Sequence, residues 1–481
     1  MTEPQSDLTG APQTPSAKVI PTAERTRRHL VLNLGAIAAL TMSLGIGIFV
    51  DGPTMWGFLP IAAYAILAIA GMDLVVATVV AIISALLILT PTPGAAADLL
   101  GESVGDTVTM IGLIIVLGAG LGEVMRITGV AHQIVRSVMK VAGDKSPMAF
   151  ILGTMLSCLV LVAALGTLAG ALAIAVTLIL PMAARRGFTR SATTAMTFIG
   201  GGAGLAIAPF AGSNVALLSA ADVTYLQYVL VAGGPLALLS IVMGLLIVPW
   251  MQRRTANADD LYDLEDIGED DGDHPHARRA TAAFTVTLLA GIAYAAATGA
   301  GETFPLLALP VVAIVTGLAG GLSTVKIADA IYRGAAKLIH ILLLFWLLAV
   351  MFTAIDSIDP FTVILDSYGG HLEVMSPYGF AMAIALVGLV GVPGASAAEV
   401  VLLDKVFGEL VGSIGVSAIT WVIVLMFVSK ADTYGPFPNG NMLSVMGLSR
   451  SLSLKNMMIT GYLILVPSTI MFAIIMFMTT H

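Results

Sequence analysis

Along this chain, long apolar runs are interrupted by short polar breaks. The first run, 30–50, follows Arg25, Arg27 and Arg28, and leads into Asp51-Gly52-Pro53. Runs at 56–71, 73–91 and 108–125 come next, then an amphipathic stretch at 126–147 carrying Arg126, Arg136, Lys140 and Lys145. The region 148–183 has Gly166-Thr167-Leu168-Ala169-Gly170 at its middle, which predicts a helical hairpin. Runs at 191–209 and 226–249 close the half. After a charged segment the order returns: 281–298, 304–322 and 337–355, a partly polar stretch with Asp356, Asp359 and His371, a second hairpin over 377–411 around Gly391-Val392-Pro393-Gly394-Ala395-Ser396, then 413–430 and 457–479. A span needs about 20 apolar residues. The pattern predicts an all-α polytopic membrane protein with about 11 transmembrane helices and two re-entrant hairpins.

Two of the runs end in related breaks. Ala208-Pro209-Phe210-Ala211-Gly212-Ser213-Asn214 returns as Gly435-Pro436-Phe437-Pro438-Asn439-Gly440-Asn441. Asn441 lies 227 residues after Asn214 (441 − 214), and Pro436 lies 227 after Pro209 (436 − 209). Proline removes a backbone donor and glycine frees the backbone dihedrals. Non-helical backbone at membrane depth is tolerated only where protein buries it or a wet cavity meets it. Matched interruptions in two halves point to the binding site of a secondary transporter.

Composition agrees. Hydrophobic residues make up 58% and charged residues 11%, against about 25% charged in soluble domains. The single cysteine, Cys158, excludes an intrachain disulfide and sits in an apolar run as a small hydrophobe. The net charge of −8 is concentrated between Asp259 and Asp273, a segment that predicts a solvated cytoplasmic linker. The organisation expected is a disordered cytoplasmic N-terminus at 1–29 and an extra span at 30–50. Repeat 1 follows at 51–250, with hairpin 148–183 and break 208–214. The acidic linker at 251–280 leads to repeat 2 at 281–481, with hairpin 377–411 and break 435–441. Lys and Arg collect on one side of this map, which the positive-inside rule makes cytoplasmic. The repeats are then inverted, and the chain is a multi-pass protein of the cytoplasmic (inner) membrane.

A half-helix ending at mid-membrane presents N–H groups and partial positive charge that suit an anion. Ser213, Asn214, Thr433, Asn439 and Asn441 add hydroxyl and amide donors there, with Thr167 and Ser396 at the hairpin tips. Lys430 is placed to neutralise a carboxylate. Asp432 and Glu399, ionisable groups in apolar runs, are the candidate carriers of a coupling H⁺ or Na⁺. On this reading Asn214→Ala or Asn441→Ala removes uptake while leaving expression intact. Glu123 and Arg126, three apart, are expected to pair across one helical face. Gly118-Ala119-Gly120-Leu121-Gly122 follows a membrane run rather than a strand, so it is not a nucleotide loop. There is no Walker sequence, metal-ligand cluster or nucleophile elbow, so no enzyme activity, cofactor, metal or nucleic-acid partner is expected.

These residues resemble the gluconate permease family of the ion transporter superfamily. The resemblance is carried by GAGLGEVMRITGVA at 118–131, the hairpin and helix at 166–186, Ala208 to Pro235 with Ala221-Asp222, the tip 394–398, and SKADTYGPFPNGNMLSVMGLSRSLSL at 429–454. The chain departs from the family at Ala208-Pro209 and at Ala431-Asp432, where Lys430 is added. The resemblance implies cation-coupled symport of a small organic anion (a sugar acid, hydroxy acid or other carboxylate) by alternating access, from a homodimer in the lipid bilayer. Na⁺/H⁺ antiport on the same fold, with Asp432 and Glu399 as carriers, stays open.

Overall fold

The computed structural model describes residues 22–50, 52–142, 146–256, 260–262, 275–298, 303–360, 363, 375–389 and 396–481. Of the N-terminal segment expected to be disordered, 1–29, residues 1–21 lie outside the described residues, as do most of the acidic run, His371 and the second hairpin tip at 391–395; residues 22–29 are instead the first turns of a helix that continues into the first apolar run. No strand occurs among the described residues.

The first half runs α1 (Thr22–Phe49), α2 (Phe58–Ile69), α3 (Leu74–Leu89), α4 (Pro93–Glu102), α5 (Thr107–Ile127), α6 (Val130–Ala142), α7 (Pro147–Leu165), α8 (Leu168–Arg185), α9 (Arg190–Ile207), α10 (Gly212–Ala221), α11 (Tyr225–Tyr228) and α12 (Gly234–Thr255). A π turn at Val229–Gly233 joins α11 to α12. The second half runs α13 (Ala277–Thr298), α14 (Phe304–Ala319), α15 (Thr324–Ala336), α16 (Ile339–Asp356), α17 (Pro377–Gly388), α18 (Ser396–Ile414), α19 (Ala418–Tyr434), α20 (Gly440–Leu448) and α21 (Leu454–Thr480). Among the described residues, eight helical stretches are long and apolar enough to cross a membrane, and five shorter helices are apolar. The chain is a multi-pass membrane protein.

In so apolar a sequence, the few polar residues mark helix starts. Ser146, Thr189, Ser376, Ser417 and Asn439 each cap a helix by accepting a hydrogen bond from a backbone N–H in its first turn. The order of elements recurs at a near-constant spacing. α8, α9 and α10 start at 168, 190 and 212, and α18, α19 and α20 start 228 residues later, at 396, 418 and 440. The segment Ser146-Pro147-Met148-Ala149-Phe150 also returns as Ser376-Pro377-Tyr378-Gly379-Phe380 at the start of each hairpin, a match that the pattern of apolar runs does not reveal. Two short helices that the runs did not predict, α4 and α15, precede α5 and α16.

Packing mixes the two halves. α5 is surrounded by α14, α15 and α16, and α3 packs on α1, α2 and α16. Separately, α9 packs between α7 and α12, and α19 between α17, α18 and α21. The short helices that follow the two breaks cross over: α10 lies against α18, and α20 lies against α8. Each half-helix therefore rests on the hairpin of the other half. α9 and α7 approach closely because Gly200 and Gly204 face α7, where any Cβ would run into the Met155 and Leu159 carbonyls.

The first hairpin turns at Gly166, whose φ is +67°. A Cβ there would lie 2.9 Å from the Phe210 carbonyl and 3.0 Å from the Ala211 nitrogen. Positive φ and close approach to the first break together require glycine. Gly166→Ala is expected to destabilise the protein by about 1–3 kcal/mol, seen as a lower thermal midpoint in detergent. An unchanged midpoint would show that the turn relaxes away from the break.

Candidate functional site

α9 stops at Ile207 because Pro209 has no N–H and steers Ala208 out of the helical region (ψ 116°). That leaves carbonyls with no backbone donor or only a long one (Ala208 N to Leu205 O at 3.5 Å, Ala211 N to Ala208 O at 3.4 Å) in an apolar interior, where each needs a partner. Side chains supply all of them. Asn214 Nδ2 donates to Leu205 O at 2.9 Å and to Ala208 O at 2.8 Å. The Tyr228 hydroxyl donates to Ala206 O, and the Tyr225 hydroxyl to Ile207 O at 2.6 Å. The last four carbonyls before the break are thus held by three neutral side chains from the other side of it.

This arrangement orients Asn214. Both amide hydrogens point at carbonyls, so the amide presents its oxygen to the interior. The sequence expectation that Asn214 offers a donor to substrate is corrected: backbone carbonyls take its donor capacity. Its Oδ1 instead faces Lys430, whose Nζ lies 3.3 Å away, with Ser213 Oγ and Ser429 Oγ each at 3.4 Å. Lys430 is 2% exposed and Asn214 is fully buried. Lys430 sits one turn before the end of α19, so this ammonium joins the broken helix of the second half to the first turn of α10. No side chain caps α10, since Ala211 stands at its N-cap.

The second break is built with other residues. Gly435 (φ +70°) donates its N–H to Ala431 O at 2.7 Å. Asn439 caps α20 by accepting from Met442 N at 2.9 Å, and its amide donates to Thr433 O at 3.0 Å. The Tyr462 hydroxyl donates to Pro436 O at 2.7 Å. Tyr434 bonds Ser240 at 3.1 Å and packs edge-on to Phe198, with Gly202 leaving room for its ring. The Thr433 hydroxyl is buried without a hydrogen bond, three residues after Lys430 on one face of α19.

Of the residues singled out from sequence, the structure brings Ser213, Asn214 and Lys430 together. Thr433 and Asn439 are buried at the second break, and Asn441 is half-buried in the first turn of α20. Thr167 is half-buried at the hairpin tip beside the first break and makes no cap bond to α8. Ser396 opens α18. Glu399 is buried in the first turn of α18, where a helix N-terminus favours a carboxylate, and it interacts electrostatically with Tyr64 of α2. The side chain of Asp432 lies outside the described residues. Sequence reasoning passed over Tyr225, Tyr228 and Ser429. Two tyrosines three apart, soon after a proline break, were the available signal.

The opposite end of α9 is also tied down. Asp260 Oδ2 accepts from Ser191 N at 2.9 Å, and Asp260 O from Arg190 N at 2.7 Å. The Tyr262 hydroxyl donates to Ser449 O at 2.9 Å, and burial pushes that phenol up to about 12. Asn456 Nδ2 reaches Ser191 Oγ at 3.0 Å. The linker was expected to be solvated throughout; at 260–262 it instead docks between the start of α9 and the end of α20, because the first-turn N–H groups of α9 need an acceptor. Elsewhere Glu123 pairs with Arg126 at 2.6 Å, as expected, and also with Lys337 at 2.9 Å, which fastens α5 to the end of α15.

Residues 27–250, less than half of the chain, match the model of the Na⁺/H⁺ antiporter family. No curated protein matches. Among solved structures, the crystal structure of the YdaH transporter of Alcanivorax borkumensis is similar at 16% identity and a TM-score of 0.53, covering 79% of this chain and 86% of that one. These findings support a membrane transporter family without singling out the gluconate permeases. The chain has the fold of a polytopic membrane transporter.

Proposed function

We propose that the chain is a secondary active transporter that carries a small organic anion together with a cation by alternating access across the cytoplasmic membrane. The observation that carries this reading is the Lys430 ammonium, buried beside the uncapped N-terminus of α10. Both features carry positive charge, and N–H donors of either kind at membrane depth suit the oxygens of an anion. The Thr433 hydroxyl on the same face is a donor for a carboxylate or hydroxyl oxygen. An orphaned buried hydroxyl costs about 1–3 kcal/mol, which a substrate contact would recover. Inverted repeats around the two breaks, with the linker inside, give the two access states. Glu399 and Asp432 are the proposed ion-carrying acids.

Na⁺/H⁺ exchange is the second reading, favoured by the family match over 27–250. A thermal-shift screen of purified protein against sugar acids, hydroxy acids and dicarboxylates, followed by uptake into proteoliposomes, separates the two. Stabilisation by a carboxylate and its saturable uptake support symport. Sodium flux driven by a pH gradient, with no organic anion present and no response to any carboxylate, rejects symport in favour of exchange.

A further inference from the structure

α11, the π turn and α12 form one continuous helix from Tyr225 to Thr255, and its π turn packs against both broken helices, α9 and α19. Before that turn, Tyr225 and Tyr228 hold Ile207 O and Ala206 O of the first break. After it, Ser240 bonds the Tyr434 hydroxyl at 3.1 Å, one residue before Gly435 of the second break. Tyr228, Ser240 and Tyr434 are all fully buried. A π turn takes up one residue more than an α turn. Here Gly234 N–H donates to Val229 O, five residues back. Pro235 is the local reason: it has no N–H, and in a regular helix its ring would meet the Val231 carbonyl. The extra residue decides which groups share a face. Ser240 follows Tyr228 by 12 residues (240 − 228). At about 100° per residue, a regular helix would set them about 120° apart around its axis; with one residue absorbed the angle falls to about 20°. Gly233 lets this face close on α9, since a Cβ there would lie 2.5 Å from Ala206 O and 3.0 Å from the Tyr228 ring.

We infer that the π turn at Val229–Gly233 couples the two breaks: by bringing Tyr228 and Ser240 to one face, it makes a single helix brace both, so that neither interruption loosens without the other. Tyr225, Tyr228 and Ser240 are positioning residues on this view, acting through the break carbonyls and through Tyr434. Loss of the extra residue would turn Tyr225 and Tyr228 by about 100° around the helix axis, off the carbonyls they hold. The inference applies to an anion or a cation as cargo, and so stands apart from the symport reading.

The experiment measures backbone hydrogen exchange in peptides covering 203–214 and 431–442, on full-length protein in detergent with no added solute. Tyr225→Phe removes a hydrogen bond at the first break, and Ser240→Ala one beside the second. Each is expected to speed exchange about five-fold in the peptide it touches and at least about two-fold in the other, because coupling between sites is reciprocal. Deletion of Leu230, an exposed residue of the turn, is expected to speed exchange in both peptides more than either substitution. Leu230→Ala keeps the residue count and is expected to match wild type. Gly317→Ala, which crowds Ile327 between α14 and α15, controls for general loosening and is expected to leave both peptides at the wild-type rate. Exchange that stays at the wild-type rate in the peptide a substitution does not touch overturns the inference. So does equal acceleration by Gly317→Ala or by Leu230→Ala. Where the Leu230 deletion does not survive purification, Tyr225→Phe and Ser240→Ala decide.

Discussion

Lys430→Gln is expected to reduce carboxylate uptake by about 100-fold or more. A charge that pairs with a substrate carboxylate in a desolvated site is worth about 2–5 kcal/mol when truncated, and each 1.4 kcal/mol is a factor of ten. Glutamine is one bond shorter than lysine and uncharged, but it is polar and fills most of the same volume, so the packing of α10 on α19 is expected to survive. The loss should therefore appear in transport and only slightly in the thermal midpoint. Lys430→Arg is expected to recover part of the rate, because the charge returns but the planar guanidinium does not fit a pocket shaped for a compact ammonium. Initial uptake rates over a range of substrate concentrations in proteoliposomes give the comparison. Wild-type uptake by Lys430→Gln would remove the ammonium from the site.

Asn214→Leu is expected to lose both stability and uptake. The residue is fully buried and holds two carbonyls that have no other donor of comparable geometry. Each carbonyl then keeps only a long backbone donor, Ala208 N to Leu205 O at 3.5 Å and Ala211 N to Ala208 O at 3.4 Å, so the variant loses about 1–3 kcal/mol. This differs from the sequence-level expectation, in which Asn214 is a substrate donor whose removal spares the protein. The thermal midpoint separates the two. A variant as stable as wild type but silent in uptake would restore Asn214 to the substrate; a clear fall in midpoint supports its role as the brace of the break.

The breaks were legible because proline and glycine act on the residue that bears them, whatever surrounds it. Pro209, Gly435 and Pro436 announce non-helical backbone without any knowledge of neighbours. Lys430 was legible for a similar reason: a charge in a long apolar run is costly wherever that run goes. The donors that satisfy the break were harder to see. Tyr225 and Tyr228 lie 18 and 22 residues beyond the carbonyls they hold, past a further turn, and a tyrosine in a membrane protein has many uses. The docked linker was hidden in a different way. Asp260 and Tyr262 differ from the other acids and aromatics of their segment only in what the chain folds against them.

From sequence alone came the class of protein, the order of its helices, the two interruptions and the charge beside one of them. These follow from local chemistry: the length of apolar runs, the missing amide of proline, the price of an ion in hydrocarbon. Only the tertiary structure decided which way Asn214 turns its amide, which oxygens surround Lys430, and that each half-helix rests on the opposite hairpin. Those depend on partners distant in the chain, and a hydrogen bond has a direction and a length that no spacing of residue types contains.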